Sequence, residues 1–281
     1  MYRLVLFHNM NEVTIYIVVT TFFLLYVTLR KNPFSVAVSF FQELFTTTKI
    51  LLHIAALLAI LVFNKIELMI EKRMLPRPDF TPAIYKLEGN VVASIQHLFQ
   101  NNLLTTLSTF FYVVVFPCLM IVSVGIYTYQ KNYKLFYSIC YALMINYMIA
   151  IPFYLFFPVF EVWAFHPHVE LLMNQVFPNF ESEYRALSGL DNCLPSLHTS
   201  ISVTMAVIAS RSGHLLWRRF TLFSAVFIIF SIFYLGVHWV ADMVAGILLG
   251  LLASTVALRL SEGKLVGFWQ TELLKGREIG K

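Results

Sequence analysis

Two histidines and one aspartate carry the chemistry that this sequence can do. His238 and Asp242 stand four residues apart in Tyr234-Leu-Gly-Val-His238-Trp-Val-Ala-Asp242. On a helix, that spacing puts both side chains on one face. A carboxylate there can accept from one imidazole nitrogen, which fixes the tautomer and leaves the other nitrogen free to attack. Taken alone, the pair fits equally well a polar contact between packed helices. Upstream lies Cys193-Leu-Pro195-Ser196-Leu197-His198-Thr-Ser200. Pro favours the first helical position. The free N–H groups of such a turn, together with Ser196, suit a phosphate. His198 can then give a proton to a leaving oxygen. That stretch alone also reads as an ordinary helix start with a solvated histidine.

Two apolar runs, residues 201–209 and 222–235, must bring these groups together. They are joined by a basic hairpin at 211–219. If both runs cross a membrane, the hairpin lies on one side, and His198 and His238 return together on the other. Ionisable groups at the rim of a bilayer are costly, so such a cluster reads as a functional site. The chemistry it suits is phosphoryl transfer.

The composition requires the membrane. Of 281 residues, 59% are hydrophobic and 12% charged, and the mean hydropathy is +0.74. Soluble domains carry about 25% charged residues. The predicted fold is all-α: a polytopic transmembrane bundle of six or seven helices with an interfacial amphipathic helix. The apolar runs are too long, and alternate too little, for barrel strands. The net charge of +5 does not point to nucleic acid, because basic residues gather in cytoplasmic loops and meet anionic lipid there. Cys118, Cys140 and Cys193 form no CxxC pair and no disulfide framework. Cys118 and Cys140 read as packing thiols.

The chain reads as a single membrane domain over 1–281. N-terminal helices occupy 13–64, the first of them, at 13–29, retained rather than cleaved as a signal peptide. An outer-face loop and amphipathic helix occupy 65–105, a catalytic helical core 106–260, and a cytoplasmic tail 261–281. Within the second segment, Ile84, Leu87, Val91, Ile95 and Leu98 recur at helical spacing opposite Lys86, Glu88 and Gln96. Crossings are expected at 13–29, 50–63, 107–127 and 135–157, then at the two runs above and at 239–258. The run at 34–45 is too short to cross and reads as interfacial or as an extension of the next helix. Gly246 and Gly250 form GxxxG, a weak signal for close helix contact.

The hairpin 211–219 has basic residues and no acid, which places it in the cytoplasm. The site then faces the extracytoplasmic or lumenal side. Residues 64–102 fall on that same side, where Lys65, Lys72, Arg73, Arg77 and Lys86 go against the charge rule. Basic groups kept there suit an anionic substrate. Lys72, Arg77 and Arg185 are therefore the candidate phosphate-binding cations. A solvated charged loop is the competing account of Lys72 and Arg77. His166 and His168 flank Pro167 and are weak metal-ligand candidates, while His53 and His97 read as packed or interfacial.

The two stretches together resemble the membrane branch of the type 2 phosphatidic-acid phosphatase / vanadium haloperoxidase superfamily, whose second and third motifs read roughly PSGH and SRxxxxxHxxxD. The resemblance implies His238 as the nucleophile that forms a phosphohistidine, Asp242 as its orienting partner and His198 as the general acid. Ser196 and the amide of Leu197 would hold phosphate oxygens, and no metal or other cofactor is needed. Three departures stand out. Leu197 replaces the motif's Gly, Ile232 replaces the Arg after Ser231, and the first motif, KxxxxxxRP, has no counterpart at the end of the fourth crossing. The nearest imitation is residues 72–78. These departures resemble the inositol-phosphorylceramide synthase-like phosphotransferases, as does the segment 157–163 more loosely.

Three functions fit these residues. The first is a lipid phosphate or diphosphate phosphatase acting through a phosphohistidine. The second is a lipid headgroup phosphotransferase with an alcohol acceptor. The third is a non-catalytic lipid-binding or translocating protein of the same fold. The expected partners are a lipid phosphate substrate and membrane lipids.

Overall fold

The computed structural model describes residues 5–74, 77–184 and 188–263. Its helices are α1 (Met10–Leu29), α2 (Pro33–Thr46), α3 (Thr48–Glu71), α4 (Thr81–Glu88), α5 (Val91–Phe99), α6 (Asn102–Tyr129), α7 (Tyr133–Phe156), α8 (Leu197–Ala209), α9 (Leu215–Tyr234) and α10 (Val240–Ser261). Among the described residues there is no strand, only an isolated bridge between Val159 and Asn192. Six helices (α1, α3, α6, α7, α9 and α10) are long and apolar enough to cross a membrane, and α8 is a shorter apolar seventh.

Asparagine side chains cap four of these helices. The side chains of Asn9, Asn32, Asn101 and Asn132 accept from backbone N–H groups in the first turns of α1, α2, α6 and α7. Each satisfies an N–H that the helix itself cannot. The ends of the bundle follow from contacts. At one end, Leu6 and Phe7 donate to the Val176 carbonyl, and Phe80 donates to Pro158. At the other, Lys134 pairs with Glu262 at 2.6 Å and Tyr133 donates to Glu43 at 2.9 Å. Gln130 there meets His214 of the basic hairpin.

Several expected boundaries move. Residues 65–71, expected as charged loop, continue α3 as helix to Glu71. Glu67 and Glu71 stay in the helix because their carboxylates turn inward to protein partners. The single amphipathic helix is instead two, α4 and α5. Gly89 separates them at φ +55, a left-handed conformation that glycine adopts freely. The run at 34–45 does not extend the next helix but forms a helix of its own, α2, started by Asn32 and Pro33. Inside α6, residues Phe111–Val115 form a π turn. Pro117, just beyond, offers no N–H to the carbonyl four residues back, and the wider turn carries the hydrogen-bond ladder past it.

α10 packs closely on both α8 and α7. Gly246 and Gly250 of α10 explain the contact with α8. A Cβ on Gly246 would lie 2.7 Å from the Ser196 carbonyl oxygen, and one on Gly250 would lie 2.5 Å from that of Ser200. The GxxxG pattern is thus what lets the helix bearing Asp242 touch the helix bearing His198. α8 has only 13 residues. At 1.5 Å per residue it spans about 20 Å, well short of a bilayer core of about 30 Å.

Candidate active site

His238 is pinned from both sides. Its backbone N–H donates to the Ile232 carbonyl at 3.2 Å, as does that of Val237 at 3.0 Å. Gly236 makes the preceding turn at φ +82, where a Cβ would lie 2.6 Å from the Glu170 carbonyl oxygen. His238 Nδ1 lies 3.2 Å from Asp242 Oδ2 in the buried interior. The same oxygen accepts the Trp239 N–H at 2.9 Å, so Asp242 also caps the helix that carries it. With Nδ1 facing the carboxylate, Nε2 is the nitrogen left for chemistry.

His198 enters from α8. Its ring stacks on Tyr112 at 3.9 Å between centroids and meets Phe116 at 4.4 Å. Both aromatic residues come from α6, on either side of the π turn's end. The His198 and His238 rings are 6.4 Å apart. His198 Nε2 is buried without a hydrogen-bond partner. A polar atom left so in an interior usually has a ligand, a proton transfer or a water to serve.

Both histidines line one cavity of about 130 Å³, with Tyr112, Tyr147, Tyr154 and Leu197. Glu161, Asn192 and Cys193 also reach it. The first turn of α8 forms part of its wall. Ser196 is fully buried, and its hydroxyl accepts the Thr199 N–H at 3.3 Å as the helix cap. Its own N–H donates to the Asp242 carbonyl at 3.1 Å. The N–H groups of Leu197 and His198 take no backbone acceptor among the described residues. They are donors available to an anion at a helix N-terminus.

The sequence-derived candidates therefore divide. His198, His238, Asp242, Ser196 and Leu197 come together. Lys72 and Arg77 do not line this cavity but a neighbouring cleft of about 420 Å³, which shares Ser188 and Gly189 with it. There the Arg77 guanidinium is bound to Glu71 at 3.2 Å, to Asp191, and to the Tyr154 carbonyl. A guanidinium so occupied is a structural tie between α3, α7 and the loop before α8. Arg185 lies outside the described residues. His166 is engaged at both ring nitrogens, by Asn90 at 2.9 Å and by the His168 N–H at 3.1 Å.

Glu88 is a functional neighbour that the sequence reading assigned only to a polar helix face. Its two carboxylate oxygens accept the N–H groups of Val240 and Ala241, each at 2.7 Å. An interfacial helix thereby caps α10 directly beside the His238 turn. Burial pushes the Glu88 carboxyl up from its ordinary value, and nearby Asp242 adds to this; the two backbone donors oppose it. Tyr112 and Phe116 were likewise hidden among the many apolar residues of α6. The Pro at 117 was the available signal that this helix is irregular.

A PAP2 superfamily model matches residues 83–256, more than half of the chain. The crystal structure of Aquifex aeolicus LpxE is similar at 21% sequence identity and a TM-score of 0.47, over 62% of this chain and 95% of that one. Among curated proteins, none matches.

Proposed function

This chain belongs to the PAP2 superfamily, and from that premise we propose that it is a membrane-embedded lipid phosphate or diphosphate phosphatase working through a phosphohistidine. The observation that carries the reading is the meeting of His198 and His238 on one cavity, with Asp242 behind His238. His238 Nε2 attacks phosphorus, and the bond from phosphorus to the leaving oxygen breaks. His198 gives that oxygen its proton. Water then attacks the phosphohistidine, His198 takes up the water's proton, and phosphate departs. Amides at the start of α8 stabilise the charge on the phosphoryl oxygens. The phosphate itself supplies the negative charge that an imidazolium needs between Tyr112 and Phe116.

The basic hairpin 211–219 at the opposite end supports an extracytoplasmic or lumenal side for the site end of the bundle. Apolar helices hold the lipid tail, and the headgroup enters the cavity. A second reading, transfer of the phosphoryl-bearing headgroup to an alcohol, is favoured by one observation. Among the described residues the cavity wall carries no Lys or Arg; besides the two histidines, its polar groups are tyrosines, Asn64, Asn192, Ser188, Cys193 and Glu161. Such a wall suits a polyol as well as a phosphate. It agrees with the Leu197 and Ile232 departures that resemble the inositol-phosphorylceramide synthase-like enzymes.

The decisive experiment is rapid-quench trapping with labelled lipid phosphates and diphosphates. The expected result is a base-stable, acid-labile phosphoprotein that is lost in His238→Ala. Full turnover by His238→Ala would overturn the reading. Adding a polyol or a ceramide-like acceptor separates the two outcomes: free phosphate supports hydrolysis, and a new phosphate ester of the acceptor at its expense supports transfer.

A further inference from the structure

Cys193 reaches the back of the site from the loop before α8. Its Sγ lies 3.7 Å from the Val237 carbonyl oxygen, next to His238 in the chain. One donor atom from each of Cys193, His238 and Asp242 lies within 4.8 Å of the others, and all three residues are buried. A second observation points to a ligand there. Asp242 Oδ2 is used by His238 and Trp239, but Oδ1 is buried with no hydrogen-bond partner. An acceptor oxygen in that position calls for a proton donor or a cation.

Thiolate, imidazole and carboxylate are the ligand types of zinc, which takes three protein groups and keeps a fourth position open. Magnesium and calcium prefer oxygen alone, so the sulfur discriminates against them. Two of the three residues, Cys193 and His238, also line the cavity. Ligand atoms up to 4.8 Å apart need only small side-chain movements to close on one ion.

We propose that Cys193, His238 and Asp242 form an inhibitory site for a thiophilic divalent cation of the zinc class. On binding, the Cys193 thiol releases its proton to solvent and its sulfur bonds the metal. An imidazole nitrogen of His238 donates its lone pair to the same ion, and Asp242 supplies an oxygen. With His238 ligated and the Asp242 contact diverted, the ring is no longer a nucleophile. The cation is thus a competitor of the phosphoryl group, and the inhibition, though not the binding, depends on the role proposed above for His238.

The test uses the purified full chain in detergent micelles with Cd²⁺ as the spectroscopic probe and Zn²⁺ as its competitor. The expected result is one Cd²⁺ per chain with sulfur-to-cadmium charge-transfer absorption, displaced by Zn²⁺ and removed by a chelator. That absorption vanishes in Cys193→Ser, and affinity falls about tenfold or more in His238→Ala. Phosphate release falls with the same midpoint as the absorption rises. Absorption that persists in Cys193→Ser would assign the metal to Cys118 or Cys140 and overturn the proposal. So would a wild-type chain that shows no such absorption, or inhibition with the same midpoint in Cys193→Ser. Metal binding that needs Cys193 and His238, in a chain that releases no phosphate from any lipid, would keep the metal site and remove the phosphatase reading.

Discussion

Gly246→Ala is the substitution that most directly probes how the site is assembled. Its Cβ would lie 2.7 Å from the Ser196 carbonyl oxygen and 2.9 Å from Thr199 Cβ. The first of these is backbone and the second is at a fixed position on a helix, so neither can rotate away. Ordinary contact begins near 3.4 Å. Relieving the clash therefore needs α8 and α10 to part by about 0.7 Å. Overpacking of this kind costs about 1–3 kcal/mol, whereas alanine returns about 1 kcal/mol of helix propensity. The net loss in stability is small, at most about 2 kcal/mol. The loss in function is larger. The parting moves the first turn of α8, which carries His198, away from Asp242, and it strains the Ser196 N–H to Asp242 carbonyl bond of 3.1 Å. Since a misplacement of about 1 Å can cost about 100-fold, turnover should fall on the order of tenfold. The assay is phosphate release from a lipid phosphate alongside thermal unfolding in micelles. Gly213→Ala is the control, because nothing lies within 4 Å of its Cβ position. A Gly246→Ala chain with wild-type turnover would refute the claim that this close helix contact sets the distance between the histidines.

Three further outcomes follow from the groups around the site. Arg77→Met leaves the Glu71 and Asp191 carboxylates buried without their cation, and should cost about 3–5 kcal/mol in thermal unfolding, with recovery when Glu71→Gln and Asp191→Asn are added. Glu88→Ala removes the cap from Val240 and Ala241 and should cost about 1 kcal/mol and a measurable part of turnover. Glu88→Gln keeps an acceptor but no charge. Since burial raises the Glu88 carboxyl above 4.5 in the folded chain, the stability of wild type relative to Glu88→Gln should be greatest below 4.5 and decline as pH rises through the raised value, read by unfolding at a series of pH values. His166 is lowered from 6.5, first by burial and then by His168, and its two hydrogen bonds need the neutral ring. Its contribution should be complete above 6.5 and lost as pH falls through the lowered value, seen as faster amide exchange at Val91–Phe99 that His166→Gln no longer shows.

The membrane class, six of the expected crossings and the side chains of the candidate site were legible in the chain itself, because each depends on local pattern. Apolar runs near 20 residues can only be helices in lipid. The four-residue spacing found His238 with Asp242, although His238 stands before the Trp239 cap rather than on the helix, and Asp242 reaches it from the first turn of α10. Ser196 marked the start of α8 by its capping chemistry, although Pro195, expected at the first helical position, stands one residue before the cap. The tertiary structure alone decided the rest. No local pattern joins Glu88 to Val240, 152 residues away, or sets Tyr112 and Phe116 against the His198 ring. Arg77 had the charge of a phosphate clamp, but its partners, Glu71 and Asp191, arrive from α3 and from the loop before α8. GxxxG at Gly246 was an ambiguous pattern until α8 lay against it. Such contacts depend on which faces meet when helices pack, and a one-dimensional sequence records each face without recording its neighbour.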